Sequence, residues 1–193
     1  MEWTHHKPAD GRRMPWKNGG GSTLELAVEP PGATLETGFL WRVSTAEVGV
    51  SGPFSPFPGL QRWLLLLEGK GFQLDFGPHG QVALTESLRP VCFQGDWPAA
   101  ATLVDGPCTD LNVMVDPRFI QARVDAFRWS APHLLDLAGV ETLLYVAWGT
   151  LAAPALALYL GQGHLLRLKS GRELALAPGF GGAGLVRIGF DPA

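Results

Sequence analysis

Leu66-Leu67-Glu68-Gly69-Lys70-Gly71-Phe72-Gln73-Leu74 decides the fold, because a second stretch reads the same way. Tyr159-Leu160-Gly161-Gln162-Gly163-His164-Leu165-Leu166 is again an apolar strand, a Gly-x-Gly turn and an apolar strand. The offset is 92 residues at both glycines, close to half of the 193-residue chain. Another turn follows at Gly80 and, with one residue fewer, at Gly171. A repeat of that period points to a duplicated β module whose halves stack on each other.

The flanking sequence agrees. Leu24, Leu26 and Val28 alternate with Thr23, Glu25 and Ala27, and Trp41, Val43 and Thr45 with Arg42, Ser44 and Ala46. Further short segments are Trp63 to Leu67, Phe72 to Phe76, Gln81 to Leu84, Ala101 to Val104 and Leu111 to Val115. The second half adds Leu143 to Trp148, Ala155 to Leu160, Leu165 to Leu168, Glu173 to Ala177 and Leu185 to Phe190. Short strands punctuated by 25 glycines and 16 prolines predict an all-β sandwich or barrel. Asp116-Pro117 could cap a helix with Ile120, Val124 and Phe127 on one face, but the alternation of Ile120, Ala122, Val124 and Ala126 favours a strand. The expected organisation is one compact unit over residues 1–193, with halves near 1–115 and 116–193.

Composition narrows the function. A hydrophobic content of 46% with 17% charged residues is globular. The net charge of −3, without basic or acidic blocks, argues against nucleic acid and membrane surfaces as partners. No apolar run approaches a membrane span. The start, Met1-Glu2-Trp3-Thr4-His5-His6, has no apolar leader, so a cytoplasmic location is expected. Cys92 and Cys108 make no disulfide framework and read as reduced thiols. A homodimer is left open.

A small jelly-roll barrel of the cupin type fits this pattern. Its metal motif runs glycine, five residues, His-x-His, a short gap, glutamate, six residues, glycine. Here the frame is Gly49, five residues, Ser55-x-Phe57, four residues, Arg62, six residues, Gly69. All three ligand positions are changed. A divalent ion needs imidazole or carboxylate donors, which serine, phenylalanine and arginine do not supply. No metal and no cofactor are therefore expected, and the five histidines are assigned to surface or turns.

What replaces the metal is cationic. Arg62 would sit in the barrel mouth, Arg42 and Ser44 share one strand face, and Asp110 and Asn112 share another. Trp16, Lys17 and Asn18 come from the run Pro15-Trp16-Lys17-Asn18-Gly19-Gly20-Gly21, with Thr23 and Glu25 on the next strand. Arginine reads a carboxylate through paired N–H bonds, so this set suits a small acid. Ser55 and Phe57 belong to a stiff loop of three prolines and two phenylalanines that either covers the core or walls the ligand. The competing account pairs Arg42 and Arg62 with Glu25 and Asp110 as a structural ion network. The glycine run is no phosphate loop, because Lys17 precedes it and no helix pattern follows. No Gly-x-Ser-x-Gly elbow occurs, and catalytic residues stay unassigned.

Pro15-Trp16-Lys17-Asn18-Gly19-Gly20-Gly21-x-Thr23-x-Glu25, Trp41-Arg42-Val43-Ser44-x-Ala46, Gly52-Pro53-Phe54-Ser55-x-Phe57-Pro58-Gly59-x-x-Arg62, Gly69-x-Gly71 and Asp110-Leu111-Asn112-Val113-Met114 together resemble the HutD/Ves family. The resemblance covers roughly the first 115 residues; the remainder matches only as generic β sequence. It implies a bicupin, two stacked jelly-roll barrels, and a link to bacterial histidine utilisation. It further implies binding of a small pathway acid such as formylglutamate or urocanate, in a sensing or modulating role. On this reading Trp16, Lys17, Asn18, Glu25, Arg42, Ser44, Ser55, Phe57, Arg62, Asp110 and Asn112 form the ligand site. The alternative is a cofactor-independent isomerase or hydrolase acting on a small organic acid, with Glu25 or Asp110 as acid/base.

Overall fold

The computed structural model describes residues 2–137, 139–169 and 171–193. Among these residues the chain forms strands and three short 3-10 turns, and no α-helix. The strands are β1 (Trp3–His6), β2 (Arg12–Pro15), β3 (Gly21–Glu29), β4 (Trp41–Val48), β5 (Gly52–Pro53), β6 (Gln61–Glu68), β7 (Phe72–Asp75), β8 (Gln81–Leu84) and β9 (Val91–Gln94). They continue as β10 (Ala100–Leu103), β11 (Cys108–Val115), β12 (Ile120–Trp129), β13 (His133–Asp136), β14 (Glu141–Ala153), β15 (Leu158–Gly161), β16 (Leu165–Leu168) and β17 (Glu173–Pro192). The chain divides into two compact units, Gly11–Ile120 and Met1–Asp10 with Gln121–Ala193.

The unit Gly11–Ile120 contains two sheets. One has the order β2-β3-β4-β11-β6-β9, the other β5-β10-β7-β8. Their shared core takes Val48, Leu64, Leu66 and Phe93 from the first sheet and Phe72, Leu74, Leu84 and Ala101 from the second. Burying each large side chain contributes roughly 1.5–3 kcal/mol. Trp63 to Leu66 read as a continuous apolar run because both faces of β6 are buried. In the other unit β16, β14, β17 and β12 lie side by side, with β1 on the edge of β16, β13 on β17 and β15 on β14. Leu144, Val146, Leu166, Leu174 and Leu185 are among its core residues.

Glycines of both Gly-x-Gly stretches lie at strand junctions. Gly69 and Gly71 link β6 to β7, and Gly77 to Gly80 link β7 to β8. Gly163 lies between β15 and β16, and Gly171 between β16 and β17. Strand alternation over Ile120 to Ala126 is realised as β12. One expected strand shifts. Ala155–Leu160 begins in a 3-10 turn over Pro154–Leu156, and β15 starts only at Leu158. Pro154 has no N–H to donate to a ladder, and Ala157 takes φ +52° with its N–H on the Pro154 carbonyl, so the chain must turn before pairing. The separate segments Glu173 to Ala177 and Leu185 to Phe190 fall in one strand, β17, which pairs with β13 and β14 along its length.

Gly71 is the position where glycine is needed most. It has φ +78°, and a Cβ there would lie 1.9 Å from the Leu84 carbonyl oxygen. Gly106 has φ +68° with open space around it. Gly71→Ala should therefore destabilise by about 2–4 kcal/mol, and Gly106→Ala by only about 1 kcal/mol. Urea midpoints of the two variants measure the difference.

Candidate functional site

Three strands of the six-stranded sheet set the site by register. On β11, Asp110, Asn112 and Met114 share one face. Met114 stands opposite Arg42 of β4 on one side and Arg62 of β6 on the other. Asn112 pairs likewise with Ser44 and Leu64, and Asp110 with Ala46 and Leu66. The face thus carries two arginines in one row, two neutral polar groups in the next and a carboxyl in the third.

These side chains open on a cavity of about 590 Å³. Trp16, Lys17, Asn18, Arg42, Ser44, Ser55, Phe57, Arg62, Asp110 and Asn112, all expected from the sequence, line it. Glu25 does not. Its carboxylate accepts from Arg42 Nε at 2.7 Å and lies 3.2 Å from an Arg12 guanidinium nitrogen. Arg42 therefore enters the cavity already neutralised. Part of the ion-network account is realised here, in the Glu25–Arg42 pair.

Arg62 differs. It is 3% exposed, and its guanidinium carbon lies 4.7 Å from the Phe57 ring centroid and 4.9 Å from that of Phe93. Phe93 faces it directly across the β6–β9 pair. Phe57 is held from the other side because its N–H donates to the Gly95 carbonyl and the Gly95 N–H donates to that of Leu60. Asp96 accepts the Gly59 N–H at 3.1 Å, fastening the same loop. No direct ion pair joins Arg62 to Asp110 among the described residues, and Arg62 Nε, Asp110 Oδ1 and Asn112 Oδ1 are buried without hydrogen-bond partners. Unmade bonds of this kind are rare in native proteins and cost roughly 1–3 kcal/mol each, more for charged groups. Burial lowers Arg62 to about 10, with Asp110 opposing and Arg42 assisting. Arg62 is still charged at neutral pH. Burial also raises Asp110 to about 7, against the pull of Arg62.

The glycine run is the β2–β3 turn. Trp16 N–H donates to the Gly21 carbonyl, and the Asn18 side chain accepts the Gly20 N–H at 3.0 Å. A Cβ on Gly21 would meet the Glu47 carbonyl at 2.2 Å and the Trp16 ring at 3.1 Å, so glycine lets the indole lie against the sheet. Trp16 Nε1 donates to Thr23 Oγ1 at 2.8 Å, which fixes the ring as a wall. Lys17 and Asn18 are exposed and stand at the rim.

Sequence reasoning missed Phe93, which has no motif around it; its signal exists only in register. It also missed Leu35, which adds an exposed apolar side chain to the lining. None of the five histidines lines the cavity. The donor set does not fit the metal of a typical cupin, since the central position holds a guanidinium between two aromatic rings. No group of three or more potential ligands for a metal ion occurs among the described residues. No helix among them is long and apolar enough to cross a membrane.

A family model described as HutD matches residues 8–182. Protein Ves of Citrobacter koseri is 36% identical over 146 residues, covering 72% of this chain and 73% of that protein. An uncharacterized 21.2 kDa protein from the region 3′ of hutC in Pseudomonas putida is 37% identical over 120 residues, covering 61% and 60%. Among solved structures, HutD of Pseudomonas fluorescens superposes with a TM-score of 0.84 at 29% identity over 100% of both chains. A conserved protein of unknown function from Pseudomonas aeruginosa gives 0.88 at 30% identity, covering 99% of this chain and 100% of that one. More distant cupin-like structures share the fold alone, among them YhhW of Escherichia coli at 8% identity and a TM-score of 0.65.

Asp110 makes stability pH-dependent. Its folded-state pKa lies above the ordinary value, so the protonated form is favoured by folding. That contribution is complete below about pH 4 and is lost as pH rises through about 7. Asp110→Asn, which mimics the neutral form, should stabilise the protein at pH 8 by on the order of 3 kcal/mol and change little at pH 4. Denaturant unfolding at the two pH values measures this.

Proposed function

The chain belongs to the HutD family, and from that premise we propose that it is a metal-free bicupin that binds a small carboxylate and so senses or moderates histidine utilisation. The observation that carries the reading is Arg62: a buried cation, clamped by Phe57 and Phe93 and lacking a direct ion pair, that faces a cavity. A planar, buried guanidinium whose N–H groups face a cavity is suited to a carboxylate. Asn112 and Ser44 in the next row would orient neutral polar parts of the ligand, and Trp16 with Phe57 would enclose its carbon skeleton. The position of a relative beside hutC supports the link to histidine utilisation. Formylglutamate and urocanate are the ligands of choice. The protein is expected to work in the cytoplasm, without nucleic acid or membrane as partner.

The alternative, a cofactor-independent isomerase or hydrolase, draws on one observation. Asp110 titrates near neutrality inside the cavity, as a general base would. Glu25, held by two arginines and outside the cavity lining, has less to recommend it for that role. Recovery of the ligand unchanged after incubation separates the readings.

At 100 times its dissociation constant, formylglutamate or urocanate should stabilise the protein by about 2.7 kcal/mol in thermal unfolding. Arg62→Ala should abolish the shift while circular dichroism reports an intact fold. Arg13→Ala, on the exposed ion pair with Glu47, should keep it. The absence of any shift with either acid would overturn the small-acid reading.

A further inference from the structure

Arg62 and Asp110 pose a problem that the carboxylate reading leaves open. Asp110 is 2% exposed, and its Oδ1 has no hydrogen-bond partner. Its cross-strand neighbours, Ala46 of β4 and Leu66 of β6, bring no polar side chain. Of the charged groups lining the cavity, Arg62 of β6 carries the uncompensated charge, since Arg42 of β4 is bound to Glu25 of β3 and Lys17 is at the exposed rim. Cys108, two residues along β11, is a neutral thiol raised to about 11 by burial and by Asp110. The carboxylate of Asp110 therefore depends on Arg62, and Arg62 is the group that a carboxylate ligand would occupy. A ligand anion there cancels the support and adds a second negative charge beside a buried carboxyl.

We propose that Asp110 binds the ligand as a neutral carboxyl: it takes one proton from solvent as the anion docks on Arg62, and its O–H then donates to an acceptor atom of the ligand. This rests on the carboxylate reading above. No bond of the ligand changes; one proton moves to Asp110. The site then favours acids that present a further acceptor beyond the carboxylate oxygens held by Arg62, an amide or formyl oxygen or a ring nitrogen. The free-protein value of Asp110, near 7, means that this proton is acquired within the physiological range.

Linkage sets the sign. Affinity is level where Asp110 is already protonated and falls tenfold per pH unit where it is not. The probe is N-formylglutamate, whose carboxyls titrate near the ordinary range of about 4 and stay ionised throughout. Calorimetric titration of the full chain from pH 5.5 to 8.5, in buffers of different ionisation enthalpy, should show Kd rising about tenfold between pH 7.5 and 8.5. It should also show uptake of close to one proton per ligand at pH 8. Asp110→Asn should bind at pH 8.5 as tightly as the natural protein does at pH 6, without proton uptake. Binding with level affinity and no proton uptake would overturn the proposal and leave the carboxylate reading standing. Affinity rising with pH would do the same, since Asp110 would then act as an ionised acceptor. Failure of both N-formylglutamate and urocanate to bind at any pH would overturn both.

Discussion

A guanidinium buried between two phenylalanine rings is the constraint around which the first unit is organised. Each cation–π contact is worth about 0.5–2 kcal/mol, less than the several kcal/mol needed to bury the ion. The surroundings must therefore hold Arg62 by geometry. Phe93 is locked to it by the β6–β9 register, and Phe57 by a loop hydrogen-bonded through Gly95 and Asp96. A Cβ on Gly95 would lie 2.2 Å from the Phe57 carbonyl, so even the loop's route depends on one glycine. A charge kept in place at this cost, without a direct ion pair, is the feature on which the proposed carboxylate contact rests.

The same constraint explains the altered cupin frame. A metal centre needs several donors converging on a point, and the donors are what the usual motif supplies. An arginine needs no donors. It needs a stiff apolar clamp and free space ahead of its N–H groups. Phe57 provides the clamp at a motif position where a histidine would otherwise stand. Ser55, at the neighbouring motif position, is exposed and lines the cavity. The frame of glycines survives because it serves the strand turns: a Cβ on Gly69 would lie 2.6 Å from the Pro107 carbonyl, whichever cation occupies the mouth.

Legibility in the sequence followed the physics of each signal. Period-two alternation on β3 and β4, and the apolar run of β6, survive in one dimension because each residue's face is set by its neighbours. The cavity lining was legible for a related reason: Arg42, Ser44, Asp110 and Asn112 lie on strand faces that parity alone assigns. Glu25 shows the limit. Parity placed it on the right face, but not which of Arg12, Arg42 or the cavity its carboxylate would meet. Phe93 was invisible, because a residue that acts through cross-strand register has no local mark. The short edge strands β1, β2 and β5 left little pattern of their own. At Ala155–Leu160 the apolar count was right and the backbone was not, since Pro154 removes a ladder donor.

The other unit offers an internal comparison. Arg187 of β17 is also mostly buried, with its guanidinium carbon 5.3 Å from the Phe127 ring centroid and its Nε unpartnered. Its terminal nitrogens, however, are committed, one to the Asp125 carboxylate and one to the Asp136 carbonyl. An arginine satisfied at its fork has nothing left for a ligand carboxylate, and it lines none of the cavities described. Arg62 has the aromatic support of Arg187 without its partners. The two arginines therefore differ less in burial, which both have, than in whether the fork is answered from within the fold.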